Sequence, residues 1–325
     1  MTAKRGSCVA GVDLGGTKIL SVVAAPEGRI LGSDRCLTEA APGPDAVLGR
    51  MVASVRRAAA EADLQEGNLR GVGICAPGPC DYRRGVVTHP PNLPGWHDVP
   101  VCRMVGEALG LPILLENDAN AAAYGEHRFG AGRPYRHIVF ITISTGIGGG
   151  LIIDGSIYRG ASGGAGEVGH MTLDEKGPLC GCGGRGHLEA LASGTAIARE
   201  AGALLDEGRC PVLARLVKEG RPLDAETAHL AARQGDADAR GVIERAGHYL
   251  GLGLANIINM FNPQAIVIGG GLVGMGAMIL GPARAAAREH AFGDSFSHVD
   301  ILEAELGERA GVLGVAALAA EKYVR

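Results

Sequence analysis

One supersecondary unit occurs twice in this chain, and that repetition constrains the fold more than any other feature. At residue 7 the run SCVAGV (7–12) reads as a buried strand that leads into a Gly turn, Asp13-Leu14-Gly15-Gly16-Thr17-Lys18. ILSVVAA (19–25) reads as a second strand, Glu27-Gly28 as a turn, and Arg29–Leu31 opens a third strand. At residue 137 the pattern returns. HIVFITIS is a strand, Thr145-Gly146-Ile147-Gly148-Gly149-Gly150 a Gly turn, LIID a strand, Gly155-Ser156 a turn and IYR a strand. Two domains of related architecture are expected, each opening with a hairpin whose tip is a Gly-rich loop.

The remaining pattern alternates strands and helices. Residues 45–63 predict an Ala-rich helix, 69–76 a buried strand, and 113–115 another strand before Glu116-Asn117-Asp118; a further Ala-rich helix follows from 119. Helices are expected over 188–206, 211–218, 224–234, 236–261 and 309–322, with a strand at Ala265–Ile268 that runs into Gly269-Gly270-Gly271. The fold class is therefore α/β, with partly parallel sheets. The first domain boundary falls near residue 118 on topology.

Composition narrows the function. A chain of 325 residues with 46% apolar content and a net charge of −4 can build sizeable cores, which excludes disorder as its main character. Its 31 basic and 35 acidic residues are intermixed, so no nucleic-acid partner is expected. Eight Cys are too dilute for a disulfide scaffold. The stretch Ala246–Ala283 lacks Asp, Glu, Lys and Arg, but Asn256, Asn259, Asn262, Pro263 and Gln264 sit in its middle. It reads as a buried helix followed by a buried strand, so no membrane partner is expected. A cytoplasmic location follows.

Three groups of residues carry chemistry. The two hairpin tips, Asp13-x-Gly15-Gly16-Thr17-Lys18 and Ser144-Thr145-Gly146, place small residues where backbone N–H groups can converge on a phosphate. Neither is a Walker A loop, because each is followed by a strand. Gly269-x-Gly271-x-x-Gly274 mimics a dinucleotide fingerprint, but too little chain follows it for a doubly wound domain; it reads as a close-approach turn beside an adenine or ribose. Asn117-Asp118 lies between an apolar strand and a helix. It is either a helix cap or a carboxylate at a strand's C-terminal end that accepts a substrate proton. Glu167 and His170 follow a Gly-rich stretch (160–166), and Glu189 stands near a helix start. The third group is His170, Cys180, Cys182 and His187, interleaved with glycines; it suits tetrahedral zinc, with a redox pair or an incidental Gly turn as the alternative.

These residues fall into motifs that resemble the bacterial glucokinases of the ROK family. They are GVDLGGTK (11–18), CAPGP (75–79), ENDANAAAYGE (116–126), ITISTGIGGG (141–150), EVGH (167–170), CGCGGRGHLEALASG (180–194) and NPQAIVIGGG (262–271). The resemblance covers nearly the whole chain. It implies an actin-like, hexokinase-type pair of α/β domains, with ATP and sugar in the cleft between them. Because the last helix of that fold packs on the first domain, it implies 1–118 plus 309–325 as one domain and 119–308 as the other.

The resemblance also implies roles. Asp118 would be the general base that takes a proton from the attacking sugar hydroxyl. Asp13 would help to position Mg²⁺, while Gly15, Gly16, Thr17, Lys18, Thr145 and Gly146 hold phosphates and Gly270 and Gly271 lie near the adenosine of ATP. Asn117, Glu167, His170 and Glu189 would hydrogen-bond the hexose, with Gly78 and Asn92 nearby. His170, Cys180, Cys182 and His187 would hold a structural Zn²⁺. The family's usual cluster is C-x-C-G-x-x-G-C-x-E, and here His187 stands at the third Cys. The expected reaction is phosphorylation of glucose to glucose 6-phosphate. Kinases for N-acetylmannosamine, N-acetylglucosamine, fructose or allose, and a non-catalytic sugar-sensing regulator, are the alternatives. A homodimer or homotetramer is implied.

Overall fold

Buried β-branched and small residues build two five-stranded sheets in this computed structural model, which describes residues 7–64, 68–90 and 92–324. The opening strands are β1 (Cys8–Leu14), β2 (Lys18–Ala24), β3 (Ile30–Leu37) and β4 (Leu69–Ala76). A two-stranded ribbon of β5 (Cys80–Asp81) and β6 (Val86–Val87) precedes β7 (Ile113–Asn117). The first sheet has the order β3-β2-β1-β4-β7. Its hairpin strands β1, β2 and β3 are antiparallel, and β4 and β7 continue parallel to β1. Every residue of β4 from Gly71 to Ala76 is buried, as expected of a strand covered on both faces.

The second sheet comprises β8 (Ile138–Ile143), β9 (Ile147–Ile153), β10 (Ser156–Ile157), β11 (Ala265–Gly269) and β12 (Asp300–Glu303). Its order, β10-β9-β8-β11-β12, repeats that of the first sheet strand for strand. Again the first strand is central, with parallel additions on one side. The sequence repeat is thus a repeat of sheet topology.

Helices α1 (Pro44–Glu61), α2 (Val101–Leu109) and α3 (Asp118–Phe129) belong with the first sheet. Val47, Met51 and Val55 form a stripe on α1 at four-residue spacing and share a core with Val12, Ile19 and Ile74. The second half carries α4 (Leu188–Ala192), α5 (Gly194–Asp206), α6 (Pro211–Lys218), α7 (Ala225–Arg233), α8 (Ala237–Phe261), α9 (Ala277–His290) and α10 (Gly293–Ser297). The final helix, α11 (Ala310–Tyr323), is buried on nearly all sides and covers the first sheet. Glycines admit it: a Cβ on Gly11 would lie 2.3 Å from the Val312 carbonyl oxygen, and one on Gly73 2.1 Å from that of Val315.

By packing, the chain divides into two units. The first runs through Arg136 and takes in Gly150–Ala165 and Glu305 onward; the second is His137–Gly149 with Gly166–Ala304. This differs from the boundary read at 118, and the reason is α3. That helix lies against α11 so closely that a Cβ on Gly314 would sit 1.8 Å from the Ala121 carbonyl oxygen. At its end the fully buried Glu126 accepts N–H groups of Ala131, Glu305 and Leu306, which pins the returning chain near 305.

The expected helix over 188–206 is interrupted at Ser193, whose hydroxyl caps α5 by accepting the Ala196 N–H. Helix α9 was not predicted, because Gly281-Pro282 inside it reads as a breaker. The stretch 246–283 forms the end of α8, β11 and the start of α9. No helix among the described residues is long and apolar enough to cross a membrane.

Candidate active site

In the first unit the site residues gather at the C-terminal ends of three parallel strands. Asp13 of β1 pairs in register with Cys75 of β4, and Cys75 with Glu116 of β7. That end of a parallel sheet is where α/β proteins collect ligand groups. Asp13 is held in a dry setting: burial raises its carboxyl above the ordinary range, against the opposing hydrogen bond from the Cys75 thiol and the charge of Lys18. The thiol itself is pushed well up by burial, and the Asp13 and Asp118 charges add to that effect. The β1–β2 tip is closed by Gly15 N–H donating to the Lys18 carbonyl at 2.9 Å, while the Thr38 hydroxyl donates to the Gly15 carbonyl at 2.7 Å. Lys18 Nζ lies 2.9 Å from Glu308, which also takes Arg35. Gly16 lies against Asn92: a Cβ there would approach the Asn92 Cβ to 2.7 Å.

The capping reading holds for Asn117, and Asp118 stands at the C-terminal end of β7. The Asn117 side chain is the N-cap of α3 and accepts N–H groups of Ala119 and Asn120 through Oδ1. Its Nδ2 is turned toward Gly78, where a Cβ would lie 3.2 Å away. Asp118 also accepts the Ala119 N–H, at 2.8 Å through Oδ1. Beneath them sits a feature the sequence reading missed. Glu116 is buried, and its Oε2 receives Nε and Nη2 of Arg159 at 2.8 and 2.6 Å. No motif signals this pair, because the partners are 43 residues apart.

The second unit holds the remaining candidates. Glu167 begins a short 3₁₀ turn, Val168–His170, and its carboxylate lies 4.0 Å from His170 Nε2. His170 Nδ1 is 3.8 Å from Cys180 Sγ, and Cys182 Sγ is 3.2 Å from His187 Nδ1. The four donor atoms lie within 4.8 Å of one another. Two thiols and two imidazoles so gathered fit a tetrahedral ion of intermediate softness. Glu189 bridges this cluster and the β8–β9 tip: Cys180 Sγ approaches its Oε1 at 3.6 Å, and its Oε2 accepts the Ile147 N–H at 2.9 Å, beside Gly146.

The tip is anchored from α5, where the Thr195 hydroxyl donates to the Thr145 carbonyl at 2.8 Å and Gly194 N–H to that of Ser144 at 2.8 Å. A cavity of about 580 Å³ opens here, lined by Thr145, Thr195, Glu226, His229, Gly271 and Met275 among others. Gly270, at φ 92°, packs against the backbone of Ile143, so the following chain can pass beside the tip. Sequence reasoning found Thr145 and Gly271 but not Thr195, Glu226 or His229, which lie on ordinary amphipathic helices. His229 is held below its usual range by burial and by Arg233.

The chain is similar to known proteins over nearly its whole length. Over 316 residues the chain is 37% identical to a glucokinase of Thermotoga maritima, a match covering 96% of this chain and 97% of that one. The solved structure of a ROK family glucokinase from Streptomyces griseus, in complex with glucose and AMPPNP, superposes with a TM-score of 0.81 at 37% identity, over 97% of this chain and 99% of that one. A xylose repressor of Bacillus subtilis is 30% identical over 99% of this chain and 79% of its own length. The fold is the actin-like, hexokinase-type one expected from the motifs. Residues 9–322 match the ROK family, and the chain belongs to it.

Proposed function

We propose that this protein is an ATP-dependent sugar kinase that converts glucose to glucose 6-phosphate, with Asp118 as the general base. The observation that carries the reading is the placement of Asn117-Asp118 and the Asp13–Lys18 loop at the same end of the parallel strands β7 and β1, which flank β4, in a chain resembling glucokinases over 96% of its length. Asn117 would hold a sugar hydroxyl through the amide that capping leaves over, with Gly78 and Asn92 beside it. Asp118 would receive the proton of the attacking hydroxyl. Glu167, His170 and Glu189 would hydrogen-bond other hydroxyls. Gly15, Gly16, Thr17, Lys18, Thr145 and Gly146 would hold phosphates, and the cavity bordered by Gly271, next to Gly270, would take the adenosine.

Bound Mg²⁺ neutralises charge on the phosphoryl oxygens. Asp13 suits such an ion, being a half-buried carboxylate that accepts a hydrogen bond from the Cys75 thiol. The His170, Cys180, Cys182 and His187 cluster suits Zn²⁺. With four protein donors no position remains for an activated water, so that metal would be structural. Its consequence would fall on the sugar, because His170 belongs to both sets. A cytoplasmic location and a homodimer or homotetramer go with this reading. The exposed Met260 and Phe292 of the second unit support an assembly, which light scattering reads directly.

Coupled ADP release, sugar by sugar, tests the proposal. Glucose is expected to lead the panel, and Asp118→Asn to retain sugar binding while losing about 10²–10⁴-fold in kcat. Near-normal kcat in that variant would remove Asp118 as base. Turnover with another hexose alone would correct the substrate and keep the chemistry. Sugar binding without turnover would place the chain with the family's regulators.

A further inference from the structure

The pair of buried Glu116 and half-buried Arg159 lies immediately behind the proposed base, and the sequence motifs give it no role. Glu116 is saturated on both oxygens. Oε2 takes two nitrogens of the Arg159 guanidinium, while Oε1 accepts the Asn117 N–H at 3.1 Å and the Asn120 amide at 3.2 Å. The carboxylate thus grips the strand end carrying Asn117 from its own backbone and from the first turn of α3. The guanidinium is held in turn, with its carbon 4.9 Å from the centre of the Tyr82 ring. Two nitrogens of a planar, ring-stacked guanidinium converge on one carboxylate oxygen, an arrangement that a lysine ammonium cannot reproduce.

Arg159 also stands where the chain leaves the first unit. The segment Gly160–Gly166 follows it, with glycines at 160, 163, 164 and 166, and the division between the units falls between Ala165 and Gly166. Three of these glycines have positive φ, at 69°, 93° and 92° for Gly160, Gly163 and Gly166. Glu167 comes next and His170 shortly after. A tether so rich in glycine has little stiffness of its own, so its geometry depends on where its ends are held. One end is clamped to the residue that precedes Asn117-Asp118. The other opens directly onto the proposed sugar-binding carboxylate and imidazole.

We infer that Arg159 is a positioning residue for phosphoryl transfer: through Glu116 it fixes both the strand end presenting Asn117 and Asp118 and the origin of the tether leading to Glu167 and His170. This rests on the reading of Asp118 as the base. A displacement of about 1 Å at such a centre costs about 100-fold in rate, so the clamp is expected to register in turnover.

The test separates positioning from mere stability. Arg159→Met leaves Glu116 buried and unpaired and is expected to lower the melting temperature. The double variant Glu116→Gln/Arg159→Met removes both charges and is expected to recover it, because no buried charge is then left without its partner. Arg159→Lys keeps the charge and loses the two-nitrogen contact. The proposal expects kcat at least tenfold below wild type in both Arg159→Lys and the double variant. Glucose binding, read by calorimetry without nucleotide, should weaken in both, while ADP affinity stays within twofold. Recovery of kcat together with melting temperature in the double variant, or wild-type turnover in Arg159→Lys, would overturn it. Asp118→Asn measured alongside keeps the two readings apart: normal turnover there removes the base assignment whatever Arg159 does.

Discussion

The Asp13 carboxyl is held in its place at a cost to the fold. Burial raises its carboxyl above the ordinary value, so its charged form is penalised in the folded state. A raised acid gives stability that is present at low pH and lost as pH rises through the folded-state value. Asp13→Asn is therefore expected to melt at a higher temperature than wild type near neutral pH. The advantage should vanish as the medium becomes acid enough to protonate the wild-type side chain, as scanning calorimetry across pH would show. On the proposal that Asp13 helps to position Mg²⁺, the same variant should lose at least about 100-fold in kcat. The position of Asp13 at a strand end before a Gly turn was legible in the sequence, because the apolar run before it and the glycines after it are local signals. Arg159 was not, because a lone arginine carries no sign of the carboxylate it will meet 43 residues away.

At the scale of elements, the contact between α3 and α11 makes the sharpest prediction. In an exposed helix interior, Gly→Ala would gain about 1 kcal/mol through propensity. At Gly314 the added methyl would stand 1.8 Å from the Ala121 carbonyl oxygen, so the helices must separate. Gly314→Ala is expected to destabilise by about 1–3 kcal/mol in denaturant titrations, the usual cost of overpacking. The Gly-rich segment around the four metal donors makes another. It holds little regular structure beyond isolated bridges such as Thr172 with His187 and Leu179 with Arg185, so a bound ion would supply much of its order. Chelation is expected to lower both the melting temperature and glucose affinity. His187→Ala should reduce metal content measured by mass spectrometry, and His187→Cys should retain it. Strands with apolar runs, such as β1, β4, β8 and β11, were legible, whereas the short β5, β6 and β12 were not, α9 was hidden by Pro282 and the end of α4 by a serine that caps the next helix.

At the scale of the whole molecule, the repeat read from two hairpins became two sheets with the same strand order. That inference worked because hairpin tips are local and sheet order follows from them by short connections. The division into units was only partly legible. It depends on α3 and α11 fitting together, which is long-range packing between small residues of a kind common to buried helices. Completion of the first unit depends on its last segment. The core formed by Val9 and Ala24 with Ala316, Ala319 and Ala320 joins the opening strands to the final helix. As a ribosome delivers the chain, β1 through β7 emerge early, but the helix that covers them arrives last. All the segments of the second unit, ending at Ala304, are already synthesised by then. The second unit can therefore settle first, while one face of the earliest sheet waits uncovered. Newborn chains that stall after Ala304 should engage chaperones through that apolar face and release them when the final helix docks.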